Sequence, residues 1–139
     1  MIVTNENFAK TKIKHAKEIL ELLLSDNDEF DIICINKEIE FSPELPERIS
    51  RDFGEVILFT LAEYTLSSAR LENEHLVFEA GFGEENFGSV VSVPVNKIFQ
   101  IMQQETPLFI NVTAGVTYPE KEEKKNPFAM NPRNKKLLD

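Results

Sequence analysis

The side chains with intrinsic reactivity are few: Cys34, His15 and His75. Nucleophilic catalysis needs a base within hydrogen-bond reach of the nucleophile and a third group that orients the base. Here the three are scattered. Cys34 lies in the apolar run FDIICIN, His15 on a helical stretch and His75 at the start of a strand. No acid, base and nucleophile evidently converge, so no catalytic residue is expected. One cysteine and two distant histidines also make a poor zinc set, and Cys34 reads as a small buried hydrophobe. No metal or cofactor is expected.

The stretch GFGEENFG, residues 81–88, carries a different kind of chemistry: bare backbone that lets something approach closely. A phosphate-cradling glycine loop needs a strand before it and a helix N-terminus after it. Gly81, Gly83 and Gly88 instead lie between two strand-like runs, and Glu84 and Glu85 would repel an anion. A hairpin fits better, with HLVFEAGF and SVVSVPV flanking GEENFG and the glycines supplying positive φ and uncrowded backbone. By the two-residue period, Phe78, Ala80 and Phe82 share one face of the incoming strand. Large, small, large describes a shallow notch beside Gly81 and Gly83. That notch either packs the protein's own helix or accepts a peptide.

The elements around it read as follows. Residues 5–25 place Phe8, Ala9, Ile13, Ala16, Ile19, Leu20 and Leu23 at helical steps, with charged residues between them, and Thr4 or Asn5 can cap the helix. Leu22 and Leu24 widen the apolar stripe, leaving open whether it packs only within the chain or also against a second helix. Short β-rich runs follow at 30–36, 38–41, 55–65, 75–82, 89–95 and 108–112. SPELPERISRDFG reads as a loop or one helical turn. NKIFQIMQQE puts Ile98, Ile101 and Met102 at helical spacing with Asn96 as cap and Pro107 as stop. A helix, about five strands and one short late helix suggest a mainly β, α+β fold: a helix laid on a small, strongly bent or barrel-like antiparallel sheet. From Ala114 onward, prolines and charges with few aliphatics predict a flexible tail. The leucine pair at its end, in NKKLLD, is a candidate docking motif.

At 139 residues with a net charge of −9, the chain suits one domain. Its low pI, about 4.8, opposes electrostatic capture of nucleic acid. No run approaches the roughly 20 apolar residues that span a bilayer, and MIVTNENFAKTK lacks the order of a secretory signal. The chain is therefore read as cytoplasmic.

The order LVFEAGFG, then VSVPVNKIFQI, resembles the SspB family, the stringent starvation protein B adaptors of the ClpXP protease. Phe78, Ala80, Phe82 and Gly83 fill the first family pattern; Val91, Ser92, Val93, Pro94 and Ile101 fill the second. The upstream EILELLLSDNDEFDIICIN is similar to the family's opening helix, polar turn and apolar strand, so the resemblance runs from about Ile13 to Val112. It implies an Sm-like β-barrel over residues 1–113 and a non-enzymatic adaptor that binds ssrA-type degradation tags. The implied peptide groove comprises Leu61, Phe78, Ala80, Gly81, Phe82 and Gly83. It further implies a homodimer through Ile13, Ala16 and Leu20 of the helix, and a tail, 114–139, that docks on the ClpX unfoldase through Lys135, Lys136, Leu137 and Leu138. The sequence departs from the family where Gly81 replaces the usual Arg, in a turn about two residues longer, and in a shorter tail ending KKLLD. The alternative is an Sm-like peptide- or RNA-binding protein without a protease link. RNA binding would need exposed Lys, Arg and aromatics on the strands, and the strand runs are poor in Lys and Arg.

Overall fold

A computed structural model describes residues 1–116. Helix α1 spans Glu6–Ser25. Of the two expected caps, Thr4 and Asn5, it is Asn5 that caps it: its side-chain oxygen accepts the Phe8 N–H at 3.0 Å, satisfying a first-turn donor that has no partner within the helix. In chain order there follow strands β1 (Phe30–Ile35) and β2 (Glu40–Ser42), helix α2 (Glu47–Ser50), strand β3 (Val56–Leu61) and helix α3 (Glu63–Ser68). Strands β4 (Arg70–Glu72), β5 (His75–Phe82), β6 (Phe87–Pro94), β7 (Ile98–Gln103) and β8 (Thr106–Ile110) complete it. The strands form two antiparallel four-stranded sheets, one in the order β3-β1-β7-β8 and the other β2-β6-β5-β4.

Alternation explains the core. In β3 every second residue, Ile57, Phe59 and Leu61, is buried, while Val56, Leu58 and Thr60 are exposed. Ile32 and Ile101 from the first sheet and Leu76, Phe78, Val91 and Val93 from the second are fully buried with them. Phe59 meets Phe78 edge to face at 5.3 Å, stitching the inner faces together. Ala16, Leu20 and Leu23 bury the inner stripe of α1 against this core. The helix is pinned by an ion pair from Lys17 to Glu74, 2.7 Å, and by the Lys12 ammonium 4.7 Å over the Phe109 ring. The fold is thus α+β, an N-terminal helix on two antiparallel sheets. The two sheets are not closed into a barrel. No helix of the described residues is long and apolar enough to cross a membrane.

Three expectations need correction. The late helix over NKIFQIMQQE is absent: one 3-10 turn, Val95–Lys97, leads into β7. Ile98 and Ile101 are both buried although three residues apart, because Cys34 pairs with Ile98 and Ile33 with Gln100, leaving Phe99 as an extra, bulged residue. A bulge in a strand counterfeits helical spacing. Secondly, the run 55–65 is two elements. Glu63 takes the left-handed region (φ 52°), turning the chain out of the sheet into α3, which Leu66 anchors in the core. Thirdly, eight strands form rather than about five. The short β4 pairs with β5 across Asn73 and Glu74, both left-handed, and Pro107, expected to stop a helix, lies in the edge strand β8, where a missing N–H is tolerated. Ala114, the expected start of the tail, is buried.

Candidate functional site

The long hairpin of β5 and β6 forms as expected, with Phe82 opposite Phe87 and Gly81 opposite Gly88. Its four-residue turn starts with Gly83 at φ 75° and ends with Asn86 at φ 56°, closed by the Asn86 N–H donating to the Gly83 carbonyl at 3.1 Å. Arg48 pairs with Glu85 at the tip. The Glu85 backbone N–H first, then the Arg48 guanidinium, hold the Glu85 carboxyl below the usual carboxylate range.

Phe78, Ala80 and Phe82 do share a face, and it is the inner one. Phe78 is fully buried. Phe82 sits in an aromatic cluster, 5.7 Å from Phe41 and 6.4 Å from both Phe53 and Phe59. The large-small-large pattern therefore packs the protein's own aromatic core. Leu61 is also fully buried. On α1, Ala16 and Leu20 are fully buried within the chain and Ile13 partly so, so Ala16 and Leu20 offer no surface to a second molecule here. Lys135, Lys136, Leu137 and Leu138 lie outside the described residues.

The opposite face of the same hairpin carries a cleft of about 500 Å³. Gly81, Gly88 and Val90 form its floor, Tyr64 and Thr65 of α3 one wall, Ser42 and Pro43 the other, and Asn86 stands at its end. Paired glycines leave no side chain to fill the floor. Gly88 has nothing within 4 Å of where a Cβ would stand, so the space above it is open. A Cβ on Gly81 would lie 1.7 Å from the Asn86 side-chain oxygen; the Asn86 amide folds over Gly81, which is why this position is bare. Gly83 approaches the Ile49 side chain instead, whose terminal methyl would lie 3.3 Å from a Cβ on Gly83.

One rim of this cleft is an open strand edge. β4 pairs only with His75, Leu76 and Val77. Beyond that, the Glu79 N–H, facing the same side, is taken by the Ser68 hydroxyl at 2.9 Å. Backbone groups of alternate residues point to the same edge, so the N–H and C=O of Gly81 also face that side, and no strand among the described residues pairs with them there. The Tyr64 hydroxyl donates to the Glu79 carboxylate at 2.5 Å, and this bond, with the carboxylate's charge, pushes the Tyr64 pKa up. Cys34 is buried in β1, and burial pushes its thiol pKa up, away from thiolate chemistry.

Of the residues singled out from the sequence, Ala80, Gly81 and Gly88 line this cleft, and Ala80 does so from a strand position whose side chain turns inward. Sequence reasoning missed Glu79, Val90, Tyr64 and Ser42. The same two-residue period that aligns Phe78 with Phe82 puts Glu79 with Gly81 on the other face, and that signal could have found them. The walls from α3 and β2 have no local signature. A scan against models of protein families and a search of curated proteins returned no match to this chain.

Proposed function

We propose that the chain is a non-enzymatic, peptide-binding adaptor of the SspB type, taking an extended segment of an ssrA-type degradation tag into the cleft over Gly81 and Gly88. The observation that carries this reading is the coincidence of a glycine-floored cleft with an unpaired strand edge at Gly81. An extended chain laid there gains backbone hydrogen bonds for affinity, while the small floor and the polar pair of Tyr64 and Glu79 discriminate among side chains. In this reading the two facing sheets correspond to an Sm-like barrel, the protein works in the cytoplasm, and its C-terminal Lys135–Leu138 engages the ClpX unfoldase. Joining two weak contacts in one chain raises the effective concentration of the tagged substrate at the protease.

Fluorescence anisotropy of a labelled ssrA-type tag peptide tests the groove. Saturable binding is expected, with Kd on the order of micromolar. Gly88→Phe fills the open floor without meeting any other atom at its Cβ and should weaken binding at least about tenfold, equivalent to about 1.4 kcal/mol, with the thermal midpoint unchanged. Absence of binding, or equal binding by Gly88→Phe, would remove the tag from this cleft. Deleting KKLLD should abolish delivery to ClpXP while leaving the anisotropy titration intact.

A further inference from the structure

The cleft over Gly81 and Gly88 carries a single charge. Among the residues that line it, Glu79 alone is ionised at neutral pH, and no Lys, Arg or His stands with it. Register puts Ser42, Val90 and Glu79 side by side on the outer face, in the row next to the bare pair of Gly88 and Gly81. Glu79 is held from two directions. Its backbone N–H donates to the Ser68 hydroxyl at 2.9 Å, and one carboxylate oxygen accepts the Tyr64 hydroxyl at 2.5 Å. The other oxygen has no hydrogen-bond or ion-pair partner among the described residues.

The cations around the cleft are already taken. Arg70 lies on the next row of the same face, opposite Val77, and its guanidinium donates to Glu72 at 2.7 Å and to the Ser68 carbonyl at 3.0 Å. Arg48 pairs with Glu85 at the hairpin tip. The remaining charged neighbours are carboxylates. Glu40 lies on β2 opposite Ser92, Glu44 follows Pro43, Glu63 precedes Tyr64 and Glu84 sits in the hairpin turn. None of these four is in an ion pair among the described residues.

We propose that Glu79 sets the specificity of the cleft, selecting a peptide that presents a lysine or arginine side chain over Gly81. The inference rests on the reading of the cleft as a peptide site. A strand added along the open edge at Gly81 places one residue opposite that glycine, with its side chain on the outer face. Gly81 has no side chain to meet it, so a long side chain can cross bare backbone toward Glu79, a diagonal neighbour about 7–8 Å away. Lysine and arginine have that reach, and their methylene stems can lie along the floor while the charged head stays at the wet rim. There the head meets the unpartnered carboxylate oxygen in a charge-assisted hydrogen bond. The Tyr64 ring, 66% exposed, adds an aromatic face for the cation. An acidic side chain in the same place meets a fixed like charge with no cation to offset it.

Fluorescence anisotropy tests this with labelled ssrA-type peptides that are identical except that Lys, Ala or Glu occupies each position in turn. At one position Lys should bind at least about tenfold tighter than Glu. In Glu79→Gln, whose amide oxygen still accepts from Tyr64, that ratio should fall below about twofold, and in Glu79→Lys it should invert. The chain is acidic overall, so a general pull on Lys is shared by all positions; it survives Glu79→Gln, which separates it from the local pair. Equal affinities for the Lys and Glu peptides at every position, or a preference that Glu79→Gln leaves as it was, overturns the inference and leaves the peptide cleft standing. Failure of every peptide to bind overturns both. Should Glu79→Gln lose the wild-type circular dichroism, the wild-type scan and Glu79→Lys decide it.

Discussion

The two sheets share one core and present opposite outer surfaces. On the second sheet the outward positions of the central hairpin are Glu79, Gly81, Gly88 and Val90, and the result is a concave floor with polar walls. On the first sheet the outward positions are Leu58, Ile33, Gln100 and Ile110, and the result is a mostly apolar face. Both surfaces come from the same period-two alternation. What differs is the residue type at the outward positions: a glycine pair subtracts side-chain volume and leaves a cleft, while branched aliphatics keep their volume on the surface. Two outer surfaces of different composition are therefore carried by one small core.

The strongest way to break the comparison is to remove what the two sheets have in common. Phe78 is fully buried and packs edge to face on Phe59 of the opposite sheet. Phe78→Ala should cost about 3–5 kcal/mol, read from urea denaturation, and both sheets should loosen together. A loss confined to peptide binding would mean that Phe78 touches the ligand.

A smaller change sharpens the contrast at the cleft alone. Gly81→Ala forces the Asn86 amide to swing away from the position it now occupies. Because only the end of a side chain must move, a stability loss of about 1 kcal/mol is expected. The double variant Gly81→Ala, Asn86→Gly should recover most of it, since glycine accepts the φ of 56° at position 86 without strain. Additive losses in the two variants would show that backbone at 81, rather than its neighbour, requires glycine.

The smallest effect concerns the hairpin tip. The Glu85 carboxyl is held below its ordinary value by its own backbone N–H and by Arg48. A depressed carboxyl contributes order above the unfolded value and loses it as pH falls through the folded one, so the tip contact is complete at neutral pH and is lost in acid. A carbon-detected titration should show the Glu85 midpoint rise in Arg48→Ala. The pair is solvent-exposed, so the denaturation midpoint at neutral pH should not change measurably.

Much of the scaffold is legible in the sequence. The amphipathic period and Asn5 cap locate α1, and β-branched runs locate β1, β5 and β6, because in each case local propensity and burial agree. Legibility fails where backbone geometry breaks the period. The bulge at Phe99 makes β7 look helical. The turn between β7 and β8 uses Gln104 and Glu105, both left-handed (φ 47° and 69°), where the usual hairpin signal would be Asn-Gly. With no such signal, β7 and its turn read as a helix stopping before the strand run at 108–112. For the cleft, Gly81 is legible as a place of close approach, yet the large-small-large pattern points to the face with Phe78 and Phe82, which the core claims. Tyr64, Ser42 and Pro43 reach the cleft only through tertiary packing of α3 and β2, and no window of sequence contains them together with Gly81.

The most direct measurement is amide hydrogen exchange at Gly81, by NMR, with and without the ssrA-type peptide. In the free protein the Gly81 N–H faces an open strand edge and should exchange quickly. Bound peptide should protect it, and should leave the amides of Leu58 and Ile110 on the other sheet unchanged. Protection that appears at Leu58 and Ile110 and not at Gly81, or at none of them, would contradict an extended peptide laid along β5.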